Sequence, residues 1–275
     1  MAKINTNSNV YTICYAAVLV VLVAFLLAFV SSALKPAQDA NVAIDKKSQI
    51  LASLNVRGLA KSEVEAKYDE LIEETCVLTP DGQMIEGADA FGVETKEIGQ
   101  KFPIYQATTA AGDEAFVLPL KGRGLWGGLW GYVAVTPDFK QVLGAYFDHE
   151  SETAGLGALI KEPKFQEQFI GRPVFGSEEL QVALTVVKKG TATAQTEVDG
   201  VTGATLTSKG VGEMVTAGIQ QYVDAFSAYL DGMFGGQEPE CGKRQQGCNG
   251  CPEADRARCQ DGQDCNRPCC QNEAE

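Results

Sequence analysis

The 275-residue chain is predicted to fold as an α+β domain behind a single N-terminal transmembrane helix. Three observations predict this. No charged residue occurs between Lys3 and Lys35, and the apolar run Val10–Ala33 is long enough to cross about 30 Å of hydrocarbon. Between Ala115 and Val187, short apolar runs separated by Gly, Pro and Asp read as strands in series, with helical patterns grouped before and after them. Last, Leu206, Val211, Met214, Val215, Gly218, Ile219, Tyr222, Val223 and Phe226 recur at spacings of three and four, the mark of a long amphipathic helix. Strands in series with segregated helices favour an antiparallel-type sheet flanked by helices over an alternating, doubly wound one.

The N-terminal run exceeds the apolar core of about 7–15 residues usual for a secretory signal, which favours a retained anchor. The competing reading is cleavage at Ser31-Ser32-Ala33. Lys3 lies on one side of the run and Lys35, Lys46 and Lys47 on the other, so the positive-inside rule does not place the bulk of the chain outside the cytoplasm. Asp39–Ile50 reads as a linker running into a helix, because Lys46, Lys47, Ile50, Leu51, Leu54 and Val56 show helical spacing before Gly58. A second helix is predicted over Lys61–Glu74, with Val64, Tyr68, Leu71 and Ile72 on one face. The expected division is residues 1–34 as anchor, 35–60 as juxtamembrane linker and helix, 61–236 as the globular domain, and 237–275 as a Cys-rich tail.

Predicted strands cover Ala115–Leu120, Leu129–Val135, Gln141–Phe147 and Leu180–Val187, with a helix over Lys164–Ile170 closed by Gly171. Gly122, Gly124 and Gly127 satisfy the G-x-G-x-x-G pattern of a dinucleotide-binding turn, but that turn must open a helix and this one continues into a strand. A hairpin or bulge carrying Trp126 and Trp130 is the better account.

The formal charge of −13 argues against a nucleic-acid partner, which requires a basic surface. The single histidine, His149, precludes a histidine-rich metal site. Seven cysteines, Cys241, Cys248, Cys251, Cys259, Cys265, Cys269 and Cys270, crowd into the C-terminal stretch, which has no apolar periodicity. Cys248, Cys251, Cys269 and Cys270 are candidate metal ligands, but the paired C-x-x-C spacing of a zinc ribbon is absent. A disulfide knot, a metal or cluster site, and reduced thiols all remain open.

The most informative residues are Asp199-Gly200-Val201-Thr202-Gly203-Ala204-Thr205. Gly200 and Gly203 permit a tight, left-handed turn, and the amphipathic helix follows at once, so Thr205 sits near a helix N-terminus. Free backbone N–H groups and the positive end of the macrodipole favour a phosphate there. The plainer alternative makes Thr202, Thr205, Thr207 and Ser208 ordinary capping residues.

The heptapeptide resembles the acceptor motif Asp-Gly-x-Ser/Thr-Gly-Ala-Thr of the covalent-FMN family, shared by the C component of the Na+-translocating NADH:quinone reductase (the Nqr complex) and the G component of the Rnf complex. The resemblance implies FMN esterified to Thr205, with Asp199, Gly200, Thr202, Gly203 and Ala204 read by a flavin transferase. His149, Glu152, Thr153, Gly155, Leu156 and Gly157 are similar to the family's flavin-side loop, with Ala154 in place of its usual proline. That implies flavin contact by Thr153, Gly155, Leu156, Gly157, Thr202 and Leu206, and lesser roles for His149, Glu152 and Trp126. The segment Asp45–Leu51 is similar to the juxtamembrane segment of the Nqr C component. The family reading implies an electron-relay subunit of a complex that oxidises NADH, reduces ubiquinone or menaquinone and exports Na+, with the B, D and E components as neighbours. It also implies a single-pass protein of the bacterial inner membrane with the FMN domain on the periplasmic side. The Rnf G component and a non-enzymatic anchored binding module are the rival readings.

Overall fold

The first helix, α1, runs unbroken from Asn9 to Ser53 in the computed structural model, which describes residues 8–177 and 180–234. Its N-terminal part is long and apolar enough to span a membrane and buries none of that surface within the chain. The expected linker at Asp39–Ile50 is therefore helix. Pro36 forfeits one backbone hydrogen bond, a local loss, and no further breaker follows it. The stalk is also braced by the next helix, through Lys61 donating to Asn41 (3.1 Å) and Lys47 paired with Glu65 (3.0 Å). The helix ends earlier than Gly58. Asn55 adopts φ +64°, and the amides of Val56 and Asn55 return to the carbonyls of Leu51 and Ala52, satisfying the last turn.

α2 (Lys61–Leu71) is shorter than predicted, because Ile72 turns extended and opens β1 (Ile72–Leu78). Local pattern does not foretell this strand or β2 (Phe102–Thr108): Glu73 and Glu74 read as more helix, and Pro103 argues against a strand. The β2–β3 ladder begins only at Tyr105, so Pro103 faces no lost partner on that side. β3 (Glu114–Arg123), β4 (Gly128–Val135) and β5 (Val142–His149) complete an antiparallel sheet in the order β1-β2-β3-β4-β5. The predicted Lys164–Ile170 helix is one α-helical turn, α3 (Pro163–Gln166), tightening into a 3₁₀ turn over Glu167–Phe169. Of the predicted strand Leu180–Val187, only β6 (Thr185–Val187) is in a ladder, pairing in parallel with β7 (Glu197–Asp199). Val182 makes only an isolated antiparallel bridge to Phe175, yet it and Leu184 are buried, so the apolar pattern reported burial more than regular pairing. α4 spans Thr205–Phe234.

Both faces of the sheet are covered. Leu118, Leu120 and Val133 pack with Val211, Val215, Ile219 and Tyr222 of α4. Val117, Tyr132, Ala134 and Tyr146 pack with Ile50, Leu51, Val64 and Tyr68 of α1 and α2. Double burial is why the central strands read as continuous apolar runs instead of alternating ones. One polar tie pins α4 to the sheet: the fully buried Tyr222 hydroxyl lies 3.1 Å from the carbonyl of Pro103 and 2.9 Å from that of Pro119. Tyr222→Phe is expected to cost about 1–3 kcal/mol of stability, since the one hydroxyl proton that the two carbonyls share is lost. Denaturant unfolding measures this, and an unchanged midpoint would contradict it.

Candidate functional site

β7 delivers Asp199 to the edge of the small parallel pair, where its carboxylate accepts from the backbone N–H groups of Gly190 (2.7 Å) and Ala192 (3.2 Å). The Ala192 bond leads the interactions that hold this carboxyl below its usual range. Gly200 is buried, and a side chain there would collide with the Val187 carbonyl and with Ser208. The Val201 amide donates to the Ser208 hydroxyl oxygen (2.9 Å), and Gly203 adopts φ +75° to swing the chain into α4.

The first helical bond of α4 runs from the Ser208 amide to the Ala204 carbonyl (2.9 Å), so the amides of Thr205, Leu206 and Thr207 have no intrahelical acceptor. Ala204 has no side chain with which to cap them. No acidic residue lies in the first turn, which leaves the positive end of the dipole open to an anion. The four hydroxyls of this segment separate cleanly. Thr207 and Ser208 are buried and bonded inward, whereas Thr202 and Thr205 are exposed, and Thr205 alone of these two is on the helix.

Two other segments meet this one. The loop after β5 passes through Gly155 at φ +75° and brings Leu156 against Gly203, where a β-carbon would sit 2.9 Å from Leu156 Cδ2. The structure thus joins the two regions singled out by sequence. The β3–β4 connection is a hairpin turn, closed by the Gly124 amide to the Gly127 carbonyl (2.9 Å), as its glycine pattern predicted. Ser151 holds its tip by donating to the Trp126 carbonyl (3.1 Å).

Leu125, Trp126, Leu156 and Leu206 are 49%, 67%, 43% and 57% exposed, respectively, around this convergence. An open apolar shelf beside a helix N-terminus and a free hydroxyl suits a planar aromatic group carrying a phosphate. Sequence reasoning reaches Leu125 only as part of the Gly-x-Gly-Leu-Trp run Gly122–Trp126 and singles out Trp126 there. It presents Thr207 only as a capping candidate.

Glu152 lies between the three segments, 8% exposed. It accepts from the Trp126 amide (2.9 Å) and from the Thr207 hydroxyl (2.6 Å), while its own amide donates to Nδ1 of half-buried His149 (3.2 Å). Burial, the largest influence, pushes this carboxyl up, but hydrogen bonds from Thr207, Trp126 and Leu125 together outweigh it and hold it below the usual range. Depressed carboxyls stabilise the fold above the ordinary carboxylate range and lose that contribution as pH falls below it. Acid titration of the full chain should therefore show loss of structure starting below about pH 4, with a shallower onset in Asp199→Asn. Circular dichroism reads this, and identical profiles would contradict the assignment.

Among the described residues no group of three His, Cys, Asp or Glu is placed to hold a metal. The tail candidates Cys248, Cys251, Cys269 and Cys270 lie outside the described residues.

The FMN-binding domain family matches residues 124–220, from the hairpin turn to the middle of α4. The C component of the Na+-translocating NADH-quinone reductase (NqrC) from Haemophilus ducreyi is 34% identical over 232 residues, 77% of this chain and 90% of that one. The Pseudomonas aeruginosa NqrC is 29% identical over 260 residues, 85% and 99% of the two chains. The crystal structure of the Parabacteroides distasonis NqrC covers 70% of this chain and 97% of its own, with 40% identity and a TM-score of 0.65. The Shewanella oneidensis NqrC structure, 21% identical with a TM-score of 0.57, shares the fold over 70% of this chain and 98% of its own. With relatives matched along nearly their whole length and an FMN-binding domain over residues 124–220, the chain belongs to the NqrC family, as an FMN-binding, membrane-anchored subunit of the Na+-translocating NADH-quinone reductase.

Proposed function

We propose that FMN is esterified through its phosphate to Thr205, and that the protein relays electrons within a complex that oxidises NADH, reduces ubiquinone or menaquinone and exports Na+. The observation that carries this is the position of the Thr205 hydroxyl, exposed at the first residue of α4 beneath an apolar shelf. When bound, the flavin supplies the electron-accepting and electron-donating chemistry. The chain's own residues bind and orient it. The free amides of Thr205, Leu206 and Thr207 face the phosphate. Leu125, Trp126, Leu156 and Leu206 offer apolar surface to the ring, with Thr153, Gly155, Gly157 and Thr202 at the same convergence.

Each phosphate–dipole interaction at an exposed helix end is worth only about 0.3–1 kcal/mol, a factor of about five at most. The shelf is also open to solvent, so a covalent tether rather than affinity retains the cofactor. Attachment falls to a flavin transferase that recognises Asp199–Thr205. Asp199, Gly200 and Ala204 shape that segment in the folded chain, through a bonded carboxylate, the lack of a side chain and a small buried methyl, so they specify its conformation as much as they offer contacts.

The domain organisation follows the same reading: residues 1–34 as anchor, 35–60 as stalk, 61–236 as the flavin domain and 237–275 as a Cys-rich appendage. The B, D and E components of the complex are the neighbours in the inner membrane, and the flavin domain faces the periplasm. Production with the transferase, denaturation and intact mass measurement test the central claim. Mass higher by one FMN less one water supports it; flavin lost on denaturation refutes it.

A further inference from the structure

We propose that Glu152 is the positioning residue of the flavin site, a single carboxylate that ties the hairpin tip, the 149–157 loop and the first turn of α4 into one arrangement. This rests on the FMN attachment proposed above. One carboxylate oxygen takes the Trp126 amide at 2.9 Å and the other takes the Thr207 hydroxyl at 2.6 Å. The three elements so joined are far apart in sequence, and each contributes to the apolar shelf: Leu125 and Trp126, Leu156, and Leu206.

The surrounding glycines are cut to the same shape. A β-carbon on Gly124 would collide with Glu152 Oε1, and one on Gly157 would collide with Oε2 and with the Thr207 hydroxyl. Neither glycine has a positive φ, so room for the carboxylate, rather than backbone freedom, accounts for both. None of the ion pairs among the described residues involves Glu152. Its negative charge is stabilised chiefly by hydrogen-bond donors, with a smaller favourable contribution from His149. A buried carboxylate of this kind disfavours added negative charge on a neighbouring group. Glu152 thus fixes the shelf and also lowers the potential of a flavin bound on it.

Two readouts test this. Hydrogen exchange on the flavin-free Thr205→Ala background should show Glu152→Gln loosening both the hydrogen-bonded hairpin amides of Gly124 and Trp126 and the helical amides 208–211 at the start of α4, each exchanging about tenfold or more faster, as loss of a charge-assisted bond predicts. Thr207→Val should loosen only the start of α4. On the flavinylated full chain, reductive titration with dithionite should give a higher midpoint potential in Glu152→Gln than in wild type, with the flavin mass still on Thr205. Unchanged exchange in both segments would overturn the proposal, as would an unchanged potential in a fully flavinylated variant. Should wild type carry no flavin while Glu152→Gln still loosens both segments, the attachment reading fails and the structural clamp stands.

Discussion

Thr205→Ala is expected to yield a folded chain with no covalent flavin. The substitution removes an exposed hydroxyl that supports no packing, and alanine is the best helix former, so stability should hold or rise by a few tenths of a kcal/mol. The neighbouring hydroxyls cannot replace it. Thr207 is engaged by Glu152 and Ser208 by the Val201 amide, and both are buried. Thr202 is exposed but precedes the Gly203 turn and is not on α4, whose first residue is Thr205. Thr205→Ser should retain attachment, since it keeps the nucleophilic oxygen, and Ser208→Ala should do the same while weakening the turn. Intact mass after denaturation, followed by peptide mapping, decides among these. Flavin found on Thr202 in the alanine variant would show that the helix end does not select the acceptor.

Gly210→Ala is expected to destabilise the domain by about 1–3 kcal/mol, with Gly232→Ala in the same helix moving stability the other way. Propensity alone makes both stabilising, by about 1 kcal/mol at most. Packing reverses the sign at only one of them. A β-carbon at Gly210 would lie 2.2 Å from the Arg123 carbonyl oxygen, a backbone atom of β3 that cannot rotate away, and 3.3 Å from Leu129 Cδ1. A β-carbon at Gly232 meets nothing within 4 Å. Because Gly210 sets the approach of α4 to the β3–β4 hairpin, the same change should separate Thr207 from Glu152 and disturb the flavin shelf. Thermal unfolding of the three proteins under one condition measures the pair. Equal shifts for both variants would mean that α4 is not seated this closely on β3.

The contrast between these two glycines marks the division of labour between sequence and fold. Periodicity alone placed α4, because its apolar stripe from Val211 to Phe226 is long and regular, and the turn glycine at position 203 takes the left-handed conformation its neighbours required. The hairpin at Gly124–Gly127 was equally legible, since a strand rather than a helix follows it. Local signals failed where two states compete within a few residues. Glu73 and Glu74 extend a helical pattern into what is strand β1, because pairing with β2 outweighs their helix propensity. The stretch after Pro36 stays helical because α2 braces it.

What the sequence determined by itself was the membrane-length apolar run, the α+β class and the segment that bears Thr205, all of which depend on residues adjacent in the chain. Only the tertiary structure decided which hydroxyl is free, which leucines form the shelf and why Glu152 matters. Those properties arise from contacts between segments 26 and 55 residues apart, and no local pattern encodes which side chains such contacts will bury.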